Sequence, residues 1–319
     1  MKAASMKAAS IARRAGWRIL AGVGVMWGAA TASFFTLHGT AGDAALSTVS
    51  GQGADPTQAV LEQVRRDYGL DLPLWHQYTD YLGRLLHGDL GESYQQRLPV
   101  SRAIGAQLGQ TVELAVGAVV IALVLALAVG VLTAKRRRRW VGPTTTGGEL
   151  VLASMPTFVL GLILLLIFSI GLGWFPVSGQ EGFRSLVLPM FTLALPVAAV
   201  LSQVLRSELE DVLEQPFILT ARARGMRDAG VRFRHALRHA LIPLVTMSGS
   251  VIGWMLGGAV VTESLFNRQG LGQLMLTATT NKDIPLVVGV IIFAALVYVI
   301  VNLVVDVLYT VIDPRVVTQ

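Results

Sequence analysis

The sequence predicts an all-α integral membrane protein with six transmembrane helices, and three observations carry that prediction. Hydrophobic residues fill 53% of the 319 positions and charged residues only 14%, with a mean hydropathy of +0.59; soluble domains carry about 25% charged residues. Six apolar runs are each long enough to cross a bilayer core, which needs ~20 residues of helix. The basic residues are unevenly shared between the connections: 18 of the 26 lie in four segments that fall on one side if six helices alternate. Net charge is +6. In this setting it reads as basic loops facing the cytoplasm and anionic headgroups, not as a nucleic-acid surface.

The runs follow in order. The first, Ile19–Leu37, is uncharged and rich in Gly, Ala, Ser and Thr. The second, Thr111–Ala134, has Glu113 near its start. The third, Leu150–Phe175, is broken by Pro156. The fourth, Ser185–Leu205, contains Pro189 and Pro196. The fifth, Leu241–Thr262, begins around Pro243, and the sixth is Ile284–Val305. Proline and glycine do not disqualify these runs, because neighbouring helices satisfy the freed backbone groups. The basic segments are the N-terminus (Lys2, Lys7, Arg13, Arg14, Arg18), Lys135–Arg139, seven arginines in 206–240, and Arg315. The positive-inside rule therefore places both termini in the cytoplasm.

The N-terminal run also resembles a signal peptide, with basic residues, an apolar stretch and small residues around Thr40-Ala41-Gly42. Cleavage would leave five spans and break the alternation, so an uncleaved anchor is preferred. MKAAS occurs twice, at 1–5 and 6–10, and has no physical account. The expected organisation is 1–37 as N-terminus and first helix, 38–110 as an extracytoplasmic helical loop, and 111–319 as a five-helix core. Within the loop, Leu74, Tyr78, Tyr81, Leu82 and Leu85 fall at helical spacing and predict an amphipathic helix that lies on the membrane or caps the outer mouth.

Several chemistries find no motif. Cysteine is absent, which excludes disulfides and thiolate metal sites. The four lysines (2, 7, 135 and 282) stand in no Gly-Lys-Ser/Thr setting, so there is no phosphate-cradling P-loop; an ATPase, if one is used, is another chain. There is no G-x-S-x-G and no H-E-x-x-H. His235 and His239 are four apart, as metal ligands on a helix can be, but without a carboxylate between them they read as a solvated basic face.

The segment TARARGMRDAGVRFRHALRHALIPLV, 220–245, holds six arginines and two histidines between two apolar runs. Pro216 suits the first turn of a helix, Phe217–Arg224 makes about two turns, and Gly225 stands where helices end in a left-handed residue. Asp228 can cap a second short helix, 229–241. Thr220, Ala221 and Ala223 permit close approach, and the arginines supply a charged rim. Two readings stand at this point: a loop held on one side by its charge, or a surface built to dock a partner.

Further text along the chain has a family likeness. SMPTFVLGLILLL (154–166), GWFPVSG (173–179), LPMFTLALP (188–196), TESLFNRQGLGQL (262–274), NKDIPLVVGV (281–290) and VNLVVDVLYTVIDPR (301–315) occur in order, with HGDLGESY (87–94) before them. Together with the 220–245 segment they resemble the permease subunit of a binding-protein-dependent ABC importer of the dipeptide/oligopeptide/nickel branch, the subunit type with a large external loop after its first span. Residues 219–221 read Leu-Thr-Ala where the strict motif has Glu-Ala-Ala. Gly39-Thr40-Ala41-Gly42-Asp43 stands for the usual P-G-D.

The resemblance implies a type I ABC importer permease fold and a non-catalytic role. The 216–243 loop would be a coupling helix seated in a cytoplasmic ATPase subunit. Phe217, Thr220, Ala221, Arg222, Ala223, Arg224, Gly225 and Met226 would form the docking surface. ATP and Mg would be bound by those ATPases, with no cofactor in this chain. The implied partners are a second homologous permease, two ATPase subunits and an extracytoplasmic substrate-binding protein, in a bacterial plasma membrane and without nucleic acid. Peptides are the expected cargo; nickel-chelate or opine cargo is the alternative within the same machinery. The fifth run, with Ser248, Gly249, Ser250, Gly253, Gly257 and Gly258, is the candidate pore lining, though the same small residues serve close helix packing equally well. Glu113 and Asp306 lie close to apolar runs, at positions that suit solvated span ends. A self-contained channel or secondary transporter, or a membrane scaffold whose basic loop binds lipid or nucleic acid, are the readings from other classes.

Overall fold

A computed structural model describes residues 2–39, 57–67, 69–134, 141–180 and 182–312. Side chains within its helices at 2–15, 18–19, 37–39, 141, 242, 245–246, 248–250, 252 and 306–312 lie outside that description. So do the Thr40–Gly42 region, the Lys135–Arg139 cluster and Arg315. All six predicted apolar runs fall on helices. In chain order these are α1 (Lys2–Gly39), α2 (Gln58–Asp67), α3 (Leu74–Leu86), α4 (Val100–Thr133), α5 (Val141–Ser154), α6 (Thr157–Leu164, continued as a π-helix over Leu165–Gly171) and α7 (Arg184–Leu213). Then come α8 (Pro216–Ala223), a run of three unbroken stretches (Asp228–Gly230, the π-helical Val231–Ala236 and Leu237–Leu265) here called α9, α10 (Leu271–Thr280) and α11 (Ile284–Ile312). Among the described residues α4, α7 and α11 are each long and apolar enough to cross a membrane, and the α5–α6 pair makes a fourth if counted as one span.

The chain divides into two compact units, Met1–Thr111 with Gln269–Val299, and Val112–Arg268 with Ile300–Gln319. The second unit is built around α7, along which apolar residues repeat at intervals of four. Leu193, Val197, Leu201, Leu205, Leu209 and Leu213 are all buried. Against it lies α4, whose two faces differ by residue type. Leu114, Ala118, Ala122 and Ala126, four apart, are buried, whereas Val112, Val116, Val120 and Val124, also four apart, are about half exposed. Lipid is as apolar as a side chain, so close helix approach favours small residues, here three alanines of the four. Small residues face the neighbouring helix, and a methyl group added at Gly117 would collide with Met190. The bulkier β-branched residues are left for the bilayer.

One sequence expectation is sharpened in this unit and one is corrected. The third run is broken at Pro156 as expected, and α5 and α6 meet there at 108°. Pro156 takes the extended conformation at the start of α6 (φ −56°, ψ 135°) and offers no amide hydrogen to the turn before it. The correction concerns 229–241, which is not a separate short helix. Pro243 sits inside α9, because a proline removes one backbone bond yet keeps a helical φ, and membrane helices accommodate it. Asp228 does not cap that helix either; Arg227 occupies the cap position, with no side-chain cap bond.

In the first unit α3 turns Tyr78, Tyr81 and Leu85 inward, where Tyr81 and Leu85 pack on a cluster of Ala30, Val288 and Ile292. Phe34 stacks on Tyr81 at 5.7 Å, and the Tyr78 hydroxyl is 2.7 Å from Thr31 Oγ1. The predicted amphipathic helix thus covers α1 and α11. Leu74, expected on its apolar face, is the first helical residue and stays half exposed. The turn before α4 is fixed by Asp283, which is 1% exposed. Its carboxylate accepts the Ser93 hydroxyl and the Tyr94 and Gln95 amides at 3.2 Å.

Candidate functional site

The arginine-rich segment is held from one side only. α7 ends in Leu209 and Leu213, and Gln215 takes an extended conformation ahead of Pro216, the first residue of α8. Ile218 is fully buried with Leu209, Leu213, Val231, Ala236 and Ala240, and Ala221 and Met226 pack against the same cluster. At intervals of three or more, Ile218, Ala221 and Met226 form the inward face. The helix stops at Arg224, and Gly225 takes φ +79°, the left-handed value that a side chain resists. This turn is as the sequence predicts.

The outward face is open. Phe217, Leu219, Thr220, Ala223, Arg224 and Gly225 are exposed, Leu219 by 61%. On the adjoining stretch Phe233 is exposed by 61%, and Arg227, Arg234 and Arg238 are exposed too. Exposed apolar and guanidinium side chains in one segment are a composition that suits a partner surface. Two charges are used internally. Asp228 accepts Arg222 at 2.9 Å and faces Arg232 at 3.7 Å, so it braces the Gly225 turn from both sides. Arg232 also donates to the Val131 carbonyl in the last turn of α4, at 3.4 Å. The His239 ring lies against Phe217 at a tilt of 56°, 5.5 Å between centroids. Among the described residues no three His, Asp or Glu side chains come together as a metal site.

Of the eight docking residues predicted, the structure therefore divides them by role. Phe217, Thr220, Ala223, Arg224 and Gly225 are exposed; Ala221, Arg222 and Met226 are half-buried and hold the turn. The candidate pore residues lie on α9. At Gly258 an added methyl would come within 3.0 Å of Leu193, whereas at Gly257 nothing lies within 4 Å. Gly253 is half-buried, and the side chains at 248–250 are outside the description. Glu113 is exposed on α4, and the Asp306 side chain is not described.

Sequence reasoning missed one buried ionic site. Glu149 on α5 is 5% exposed and its Oε2 meets Arg206 Nη2 of α7 at 2.5 Å. Oε1 accepts Ser202 at 2.7 Å and Arg206 Nη1 at 3.2 Å. Arg206 Nη1 also reaches Thr133 Oγ1 of α4 at 3.4 Å. A signal was present. With alternating spans, the end of the second run, the start of the third and the end of the fourth share one side of the membrane, which puts Glu149 and Arg206 on the same side.

The first unit contains a cavity of about 470 Å³ whose lining includes Asp67, Asp80, Asp89, Glu92, Arg84 and Tyr81. Burial raises the Tyr81 phenol above its ordinary range, so it stays neutral beside an acidic wall that favours cationic groups.

The family described as binding-protein-dependent transport system inner membrane component matches residues 126–318. The chain is 39% identical over 285 residues to the glutathione transport system permease protein GsiC of Pectobacterium atrosepticum, covering 89% of this chain and 92% of that one. It is 37% identical to the protein of the same name from Escherichia coli K12 over 283 residues, with the same coverage. Among solved structures, two crystal forms of the inward-facing MetNI methionine ABC transporter superpose with TM-scores of 0.54 and 0.55 at 17% identity. They cover 66% and 67% of this chain and 96% and 97% of theirs, a likeness of fold.

Proposed function

The chain belongs to the binding-protein-dependent transport system inner membrane components, as a permease subunit of an ABC importer in the peptide/oligopeptide branch, and from that premise we propose that α8 and the Gly225 turn dock a separate ATPase subunit and so couple peptide import to ATP hydrolysis. The subunit is a multi-pass inner-membrane protein and is not itself catalytic. The observation that carries the docking reading is the division of α8 into a face anchored by buried Ile218 and a face of Phe217, Leu219, Thr220, Ala223 and Arg224 left uncovered. A loop needed only for its charge has no use for an apolar surface in water, which costs about 25 cal/mol for each Å² left exposed.

On this reading the arginine-rich segment and both termini are cytoplasmic. A second homologous permease completes the path, with α9 and Ser248, Ser250, Gly253, Gly257 and Gly258 along it. Two ATPase subunits hold ATP and Mg. The acid-lined cavity is on the outer side, open to a substrate-binding protein. Peptide-type cargo is supported by the two relatives named for glutathione transport; nickel-chelate and opine cargo are the alternatives. ATP binding biases a two-state arrangement of the permease, and the loaded binding protein biases the same equilibrium from outside.

The test is reconstitution in liposomes of this chain with its companion permease, ATPases and binding protein. Uptake of labelled glutathione and of labelled di- and tripeptides that requires ATP and every subunit is the expected result. Flux through this chain alone, without ATPases, would establish the channel or secondary-transporter reading instead.

A further inference from the structure

We infer that the buried Glu149–Arg206 pair is a positioning element that ties the docking segment to the bend at Pro156, so that movement of α8 reaches the start of α6; this rests on the docking reading above. Three helices meet at the pair. Glu149 belongs to α5, Arg206 and Ser202 to α7, and Thr133 to the end of α4. Both Glu149 oxygens are occupied, and the guanidinium approaches the carboxylate through two nitrogens. A two-pronged pair of this kind fixes rotation as well as distance, unlike a point contact.

Position gives the pair its role. Seven residues of helix, about 10 Å, separate Arg206 from Leu213, where α7 hands on to α8 through the Leu209–Leu213–Ile218 cluster. Seven residues separate Glu149 from Pro156, the pivot of the 108° bend. Along the chain, the pair therefore stands seven residues from the end of α7 on one side and seven from the bend at Pro156 on the other. Stability alone does not account for it. Taking two charges out of water is costly, and apolar replacements of similar volume are often neutral or stabilising. What an apolar pair cannot supply is a fixed register between α5 and α7.

The experiment uses the assembled transporter, with this chain's lack of cysteine allowing spin labels at Leu150→Cys on α5 and Asp211→Cys on α7. Two quantities are read, without nucleotide and in the ATP–vanadate state: the α5–α7 distance distribution, and ATP hydrolysis stimulated by the binding protein. In otherwise wild-type protein one narrow distance is expected in both states. Glu149→Gln is expected to broaden the distribution at least twofold and to lower stimulated hydrolysis at least fivefold, with the ATPases still co-purifying. The double variant Glu149→Leu/Arg206→Met, which leaves no unpaired charge and is the variant to read if Glu149→Gln does not fold, is expected to do the same. If either quantity stays at the wild-type value in the folded variant, the inference is overturned. Failure of the ATPases to co-purify with wild-type protein overturns the docking reading itself.

Discussion

Two stretches of family-like sequence, HGDLGESY with NKDIP in one unit and TARARG in the other, are used in opposite ways. The first pair closes on itself. Asp283 is buried and its carboxylate is filled by Ser93, Tyr94 and Gln95, from residues 190 positions away. The second opens outward. α8 buries Ile218 and leaves Phe217 and Leu219 exposed. A buried polar group with every bond made inside the chain needs no partner and serves to fix a loop. An anchored helix with an uncovered apolar face is complete only with something seated on it. Resemblance alone rates the two stretches equally; geometry separates a self-contained motif from one with an open face.

That contrast is breakable by mutation, and the largest effect belongs to the inward-facing stretch. Asp283→Ala leaves a hydroxyl and two amides without their charged acceptor. The expected loss is several kcal/mol, at about 1.5–3 kcal/mol for each hydrogen bond to a charged group, read as a large drop in the unfolding midpoint of the detergent-purified protein. Transport should fall only in proportion to the folded protein remaining. Next is Ile218→Ala, at about 2–5 kcal/mol for a large-to-small change in a packed core. It loosens the anchored face, so both the unfolding midpoint and ATPase co-purification should drop.

Gly225→Val acts differently, because nothing lies within 4 Å of an added Cβ and φ is +79°. The cost is backbone strain of about 1–2 kcal/mol, and the protein should still insert. The expected outcome is ATP hydrolysis that no longer drives uptake; normal uptake would count heavily against the coupling role. The smallest stability effect is expected for Leu219→Ser, within about 0.5 kcal/mol as for surface changes generally, yet with weakened retention of the ATPases on an affinity column. A stability loss as large as that of Ile218→Ala would show that Leu219 is packed in the chain and would remove the contrast.

Much of this was legible beforehand because it depends on local chemistry. Pro216 at the first turn and Gly225 at the left-handed end are dictated by their own backbones, and the apolar runs by lipid. What was not legible depends on pairing across distance. Glu149 and Arg206 are 57 residues apart and each, read alone, is a charge at the end of an apolar run. Pro156 announces a break but not its angle. Pro243 reads as a stop, yet α9 runs through it, since only the packed neighbours decide whether a proline ends a membrane helix or rides within it.

The central claim, that the outward face of α8 is a docking surface, is tested most directly by cysteine cross-linking along 215–227 in this naturally cysteine-free chain. Single cysteines at Phe217, Leu219, Thr220, Ala223 and Arg224 should cross-link to the ATPase subunit in membranes, with yields that change on ATP binding, while a cysteine at Ile218 should not. Equal yields from Ile218 and the exposed positions, or none from any of them in a transporter that still imports its cargo, would contradict it.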